Sequence, residues 1–93
     1  MITGIILLNV ERSKVNEIAE TLSDIEGVSE VYSVSGQYDL VAIARLRDTE
    51  QLADVVTNHM LKVEGIVRTE TMLAFQVYSR HDLESMFSLG IEE

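Results

Sequence analysis

The stretch Ser35-Gly36-Gln37-Tyr38-Asp39 separates two apolar segments, residues 28–34 and 40–46, whose composition is typical of β-strands. A glycine and an aspartate between such segments indicate a hairpin connection. A helical pattern precedes the first segment and another follows the second, and a further strand-like segment lies at each outer end. The stretch therefore lies at the middle of a chain that repeats one strand–helix–strand unit.

The first unit opens with a strand over residues 1–10 that is apolar on both faces, so both faces need cover. Ser13 is predicted to be the N-cap of the following helix, and Gly27 is predicted to end it in a left-handed conformation. The apolar stripe of this helix comprises Val15, Ile18, Ala19, Leu22 and Ile25.

The two strands that flank the loop differ in their tolerance of charge. Within residues 28–34, Glu30 lies on the face predicted to hold Val28 and Tyr32, which indicates an edge strand. Residues 40–46 begin with an uninterrupted apolar run, which predicts a central strand covered on both faces.

The second unit continues with a helix that Asp48 is predicted to cap, with Gln51 three residues later as its partner. Its apolar stripe comprises Leu52, Val55, Val56 and Met60, and Gly65 ends it. An alternating strand over residues 67–78 is half-polar at its start, which predicts the other edge of the sheet. A short terminal helix is predicted over residues 80–90.

The two units share the motif Glu-Gly-Val/Ile at residues 26–28 and 64–66, just before their last strands. Right-handed units of this kind interlock as a split βαβ sheet, with the first and third strands in the middle and both helices on one face. We therefore predict one α+β domain over residues 1–93, a ferredoxin-like βαββαβ sandwich (core 1–80) with an extra C-terminal helix (80–90).

Two helices cover only one face of such a sheet, while the central strands are apolar on both faces. The uncovered face would be a large apolar patch. The pattern therefore predicts sheet-to-sheet pairing of two copies into a dimeric α/β barrel.

The composition excludes several classes of function. A formal net charge of −9 disfavours contact with nucleic-acid phosphates and with anionic membranes. The chain has no cysteine, hence no disulfide and no thiolate site. We find neither a signal peptide nor an apolar run long enough to cross a membrane, and we predict a cytoplasmic protein.

The loop is also the best candidate for a ligand site. The Asp39 carboxylate could pair with an α-ammonium group beside Tyr38, and backbone amides around Gly36 could take an α-carboxylate. The alternative is a plain hairpin turn, in which Gly36 supplies a positive φ and Asp39 caps the turn. Local chemistry alone favours the alternative.

Other polar residues carry weaker signals. Thr69 and Thr71 face inward and could line a polar pocket, although such hydroxyls more often bond each other or the backbone. His59 and His81 have no partner at metal-ligand spacing, and no nucleophile–base set can be placed. We predict no metal, no cofactor and no catalytic residue.

The chain resembles the ligand-binding (RAM) domain of the Lrp/AsnC transcriptional regulators over roughly residues 1–80. The resemblance is carried by the Gly-x-Tyr-Asp pattern at residues 36–39, by the strand at 40–46 and by the strand Thr-Glu-Thr-Met-Leu-Ala-Phe at 69–75. Four loop positions are a weak motif alone, but here they stand in register with the fold.

The resemblance implies a domain that binds a free amino acid as effector, pairs through its sheet and associates further, often into rings. The implied effector site comprises Gly36, Gln37, Tyr38 and Asp39, with Thr69 and Thr71 as weaker members. The family's N-terminal helix-turn-helix is missing from this sequence, which predicts a stand-alone module without direct DNA binding. A full-length Lrp/AsnC regulator is then a candidate partner.

Three alternatives share the topology. A small dimeric α/β-barrel enzyme of the monooxygenase type should line its sheet with polar or aromatic residues, whereas this face is almost uniformly Ile, Val, Leu and Ala. An ACT-like regulatory domain typically needs glycine after its first strand, where residues 9–13 have none. An RNA-recognition domain would need stacking aromatics and positive charge.

Overall fold

The computed structural model describes residues 1–78 and residue 80. The strands are β1 (Ile2–Val10), β2 (Val28–Ser33), β3 (Leu40–Leu46) and β4 (Ile66–Ala74), and the helices are α1 (Val15–Ser23) and α2 (Thr49–Asp54). A 3-10 turn at Arg12–Lys14 leads into α1, and a π-helical segment at Val55–Met60 continues α2. The predicted terminal helix lies outside the described residues, apart from residue 80.

The sheet is antiparallel with the strand order β2-β3-β1-β4. The ferredoxin-like α+β prediction is confirmed, including β1 and β3 as central strands and β2 and β4 as edges. The central strands could be predicted because both carry apolar residues on both faces of the sheet.

The core lies between the sheet and the helices, and its members are fully or almost fully buried. They comprise Ile6, Leu8, Val10, Leu40, Ala42, Ala44 and Leu46 from the central strands, Ile18 and Leu22 from α1, and Leu52, Val55 and Met60 from the second helical region. Burying each large aliphatic side chain contributes about 1.5–3 kcal/mol. Gly4 permits the close approach of α2, because a Cβ there would lie 2.6 Å from Leu52 Cδ1.

Helix capping matches the prediction at one helix and not at the other. Asp48 Oδ1 accepts a hydrogen bond from the Gln51 N–H at 2.9 Å, as predicted. Ser13 is not an N-cap, because the chain enters α1 through the 3-10 turn and Lys14 occupies the cap position without a side-chain bond. The 3-10 turn takes up the position where a capping side chain would otherwise act.

The predicted face of β2 was wrong at one end. The register shifts between Val28 and Glu30, so that Val28 lies opposite Ala44 while Glu30 lies opposite Ile43. One extra residue inverts the alternation of side chains along a strand. Val28 therefore faces the core, and Glu30 and Tyr32 face the other side.

The strand β4 is shorter than predicted, since it ends at Ala74 instead of residue 78. Its last pair is Ala74 with Thr3, and β1 has only one residue left beyond this point. The residues after Ala74 have no neighbouring strand with which to pair. Their apolar side chains are exposed, and Phe75 is 91% accessible.

We call the sheet face opposite the helices the outer face. Its apolar members are half-buried or exposed and comprise Ile5, Leu7, Val41, Ile43 and Met72. A single chain thus has the uncovered apolar face that the sequence predicted. The pairing of two such faces stays a prediction.

Candidate functional site

The loop between β2 and β3 is a six-residue connection over residues 34–39. The Val34 N–H donates to the Asp39 carbonyl at 3.0 Å and closes it. Gly36 has a backbone φ of +120°, which residues other than glycine rarely adopt. A Cβ at Gly36 would meet nothing within 4 Å. The glycine is therefore needed for the backbone angle and not for space within this chain.

Asp39 fastens the loop to the end of β1. Its Oδ2 accepts a hydrogen bond from the Val10 N–H at 2.9 Å and lies 3.5 Å from Asn9 Nδ2. Its own N–H donates to the Leu8 carbonyl at 2.9 Å. The β1–β4 register shifts between Asn9 and Val10, so the carboxylate bonds an N–H at an irregular point of the ladder. This geometry favours a structural role for Asp39.

A second link comes from the side chain of Asn9. Its Nδ2 donates to the Gln37 carbonyl at 2.8 Å. Gln37 thus contributes a backbone oxygen to the loop's anchorage, and its exposed position leaves the side chain available to solvent.

Tyr38 reaches from the loop across β1 to β4. Its hydroxyl donates to Glu70 Oε1 and accepts from Arg68 Nη2 at 3.3 Å. The Arg68 guanidinium also lies over the ring, 5.6 Å from its centre, within range of a cation–π contact. The hydrogen bond to Glu70 raises the pKa of Tyr38 above its ordinary value, with desolvation adding to the effect. We call Tyr38, Arg68 and Glu70 the loop cluster.

The sequence reading missed Arg68 and Glu70. They lie opposite Asn9 and Leu7 of β1 and therefore face outward beside the loop. The sequence does contain a signal for them: Arg68 and Glu70 alternate with the inward-facing threonines, which places two opposite charges on the outward face of β4.

Thr69 and Thr71 do not join this cluster. They lie opposite Leu8 and Ile6 in the register, which puts them on the helix-covered side of the sheet. Thr69 is half-buried and Thr71 is exposed. Of the predicted site residues, the structure brings together the four of the loop and separates the two threonines from them.

A second group of the same residue types lies elsewhere on the outer face. Tyr32 donates to Glu30 Oε2 at 2.6 Å, and Arg45 Nη1 forms an ion pair with Glu30 Oε1 at 3.0 Å. The Tyr32 hydroxyl, and then Arg45, hold the pKa of Glu30 below its usual value, while Glu30 raises the pKa of Tyr32. We call Glu30, Tyr32 and Arg45 the edge cluster.

The edge cluster borders an open groove of about 820 Å³ on the outer face. Apolar side chains of the groove include Ile5, Ile43 and Phe75. The groove lies towards the start of β1, whereas the loop lies at its end.

Metal ligation finds no support among the described residues, where no three His, Asp or Glu side chains cluster. His59 Nε2 lies 3.5 Å from Asp54 Oδ2 on the second helical region, and both side chains are about half exposed. His81 lies outside the described residues. Within the described part of the chain, no helix is long and apolar enough to span a bilayer.

Comparisons with known proteins place this geometry in a family. Residues 3–83 match the model of the Lrp/AsnC ligand binding domain. The transcriptional regulator LrpA of Pyrococcus horikoshii is 36% identical over 67 residues, which are 72% of this chain and 45% of the relative. The chain thus spans about half the length of the curated relatives it matches.

Two solved structures are similar over nearly their whole length. A protein from Thermus thermophilus is 49% identical, with a TM-score of 0.81 over 86% of this chain and 100% of its own. A hypothetical protein from Pyrococcus horikoshii is 31% identical, with a TM-score of 0.76 over 87% of this chain and 98% of its own. These matches confirm the resemblance read from residues 36–39 and the strands around them. The chain belongs to the Lrp/AsnC ligand-binding domain family.

Proposed function

We propose that this chain is an amino-acid-binding and oligomerisation module that acts in the regulation of amino-acid metabolism, with its effector site at the Gly36–Asp39 loop. The observation that carries the proposal is the loop cluster. It sets a bent, glycine-containing backbone beside one positive and one negative side chain at the β4 edge of the outer face, and both side chains are exposed in the single chain. A free amino acid carries the same two charges and is recognised by groups of this kind.

Relatives of the same fold support the class of ligand. A transcriptional regulator from Neisseria meningitidis and a feast or famine regulatory protein from M. tuberculosis are both described as complexes with L-methionine. At 14% and 21% identity, they share the fold with this chain. They make a free amino acid the first ligand to test.

The proposed site differs from the sequence-based one in two respects. We assign to Asp39 the role of holding the loop's shape, because the bond from the Val10 N–H to its Oδ2 fixes the carboxylate against the end of β1. Thr69 and Thr71 are left out, because they lie on the opposite side of the sheet.

Sheet-to-sheet pairing of two copies is the second part of the proposal. On the outer face, Met72 is 43% exposed, and the apolar residues of β1 and β3 on this face are only half-buried. Covering such a face with its own copy would remove apolar surface from water, and we propose that the dimers associate further. Sedimentation at micromolar and lower concentration tests this, and a folded monomer throughout would contradict it.

We further propose that the module has no catalytic role and does not bind DNA specifically by itself. The curated relative reported above is named as a transcriptional regulator, and the net charge of −9 repels phosphate. A full-length Lrp/AsnC regulator is the proposed protein partner.

A thermal-shift screen against the twenty amino acids tests the ligand proposal. A ligand at about 100 times its dissociation constant should raise the free energy of unfolding by about 2.7 kcal/mol. We expect a small subset to raise Tm and the others to leave it unchanged. If none raises Tm and calorimetric titration detects no binding, the proposed function is wrong.

A further inference from the structure

We propose that Arg68 and Glu70 hold the two charged ends of the effector, and that the Tyr38 hydroxyl occupies their place while the site is empty. This inference rests on the proposed function, since it assigns roles within the same site. It moves the recognition of charge from the loop to β4, a strand that the sequence reading had connected with the site only through its threonines.

The first step concerns the carboxylate within the loop. Asp39 Oδ2 is held by the Val10 N–H at 2.9 Å and lies near the Asn9 amide. Any reorientation of this carboxylate towards a ligand would leave the Val10 N–H without its partner, which costs free energy at a partly buried site. Glu70 is exposed, and its carboxylate bonds a tyrosine hydroxyl from a loop, a partner that can be replaced without breaking the sheet.

The second step concerns the two charges on β4. Arg68 and Glu70 are two residues apart on one strand, so both side chains point to the outer face. In the described part of the chain they form no direct ion pair with each other. Arg45 and Glu30 of the edge cluster, by contrast, pair at 3.0 Å. The two charges of the loop cluster can therefore each still pair with a charge of a ligand, whereas the two charges of the edge cluster are already paired with each other.

The third step concerns what lies between these charges. The Tyr38 hydroxyl donates to the Glu70 carboxylate, as an α-ammonium would, and accepts from the Arg68 guanidinium, as an α-carboxylate would. One neutral group thus makes both contacts that a zwitterion makes with two charges. Each bond of the hydroxyl has one ionised partner, whereas a zwitterion adds to both contacts the attraction between two opposite charges. A zwitterion should therefore displace the hydroxyl.

The inference defines the class of ligand. Both charged ends must be free, so α-amino acids should bind while their N-acetyl and amide derivatives should not. The side chain of the amino acid is not fixed by these contacts.

Calorimetric titration with the best amino acid from the screen tests the assignment. Glu70→Gln and Arg68→Gln keep most of each side chain's length and remove its charge, and each should weaken binding about tenfold or more. Glu30→Gln and Arg45→Gln are the matched controls in the edge cluster and should bind as the wild type does. Circular dichroism and sedimentation check that all four variants fold and assemble as the wild type does.

Tyr38→Phe tests the displacement step. Removing the hydroxyl removes the competitor, so binding should become severalfold tighter. Weaker binding would mean that the hydroxyl contacts the ligand, and the displacement step would be wrong.

The remaining outcomes separate the inference from the proposed function. Wild-type affinity in both Glu70→Gln and Arg68→Gln would overturn the assignment while the proposed function stands. An equal loss in the edge-cluster controls would overturn it as well, since binding would then depend on the outer face in general. If the wild type binds no amino acid, both fail.

Discussion

The loop cluster and the edge cluster contain the same three residue types but are assembled differently. In each, a tyrosine hydroxyl donates to a glutamate that lies close to an arginine. The edge cluster is local, because Tyr32 and Glu30 are two residues apart on β2 and Arg45 lies on the paired strand β3. In the loop cluster, Tyr38 and Glu70 are 32 residues apart.

The difference bears on which group the proposed ligand could open. The residues of the edge cluster are placed side by side by the paired strands β2 and β3, whereas Tyr38 reaches its partners on β4 from a connection outside the strands. The edge arginine and glutamate also neutralise each other directly, while the phenol intervenes between Arg68 and Glu70. The same residue types therefore make a fixed strand contact in one place and a displaceable contact in the other.

Asp39→Ala should cause the largest loss of stability, and it should disturb the loop cluster but not the edge cluster. The substitution removes the acceptor for the Val10 N–H at the anchored end of the loop, and an unsatisfied N–H costs about 1–3 kcal/mol. Urea unfolding at a fixed chain concentration measures the loss. Chemical shifts of the tyrosine rings should change at Tyr38 and stay the same at Tyr32.

Asp39→Asn is the matched control, because the amide keeps one acceptor oxygen. It should lose less stability than Asp39→Ala. Equal stability of Asp39→Ala and the wild type would show that the carboxylate does not fasten the loop.

A smaller effect is expected from Gly36→Ala. The φ of +120° strains any residue with a Cβ, by about 1–2 kcal/mol, although the space around Gly36 is open. The loss should appear in urea unfolding and in the position of Tyr38. Gln37→Ala, at the next exposed position, should leave stability within about 0.5 kcal/mol of the wild type. If Gly36→Ala and Gln37→Ala have the same free energy of unfolding, the positive φ is not the reason that the loop needs a glycine at position 36.

The sequence suffices for the parts of the fold in which a local pattern decides. The apolar runs of β1 and β3 identify the central strands, and Asp48 with Gln51 identifies the start of α2. It fails where one residue changes the register. Nothing around Val28 marks the irregularity that turns Glu30 and Tyr32 outward. The π-helical segment over Val55–Met60 likewise keeps its apolar residues buried without the spacing of an α-helix.

The candidate site was only half predictable for a related reason. The loop could be found, because Gly36 and Asp39 have local turn signals. The partners of Tyr38 could not, because Arg68 and Glu70 reach it only once β1 lies between β3 and β4 in the correct register. A contact across 30 residues depends on the whole sheet, whereas a turn depends on a few dihedral angles.

The smallest effects are changes in tyrosine pKa, and they compare the two clusters directly. Each glutamate raises the pKa of its tyrosine in the folded chain. Each bond thus stabilises the fold below the unfolded tyrosine pKa of about 10 and is lost as the pH rises through the folded value. For Glu30, whose pKa is lowered, the stabilisation is present above its unfolded pKa and is lost as the pH falls through the folded value.

Ring-resolved NMR titration measures these values for Tyr32 and Tyr38 separately. Glu70→Gln should lower the pKa of Tyr38 alone, because the amide removes the charged acceptor, and Glu30→Gln should lower that of Tyr32 alone. Saturation with the amino acid should act like Glu70→Gln, since a displaced hydroxyl loses its bond to the carboxylate, and it should leave Tyr32 unchanged. A ligand that leaves the pKa of Tyr38 as high as in the free chain would show that Tyr38 keeps its bond to Glu70 when the site is occupied.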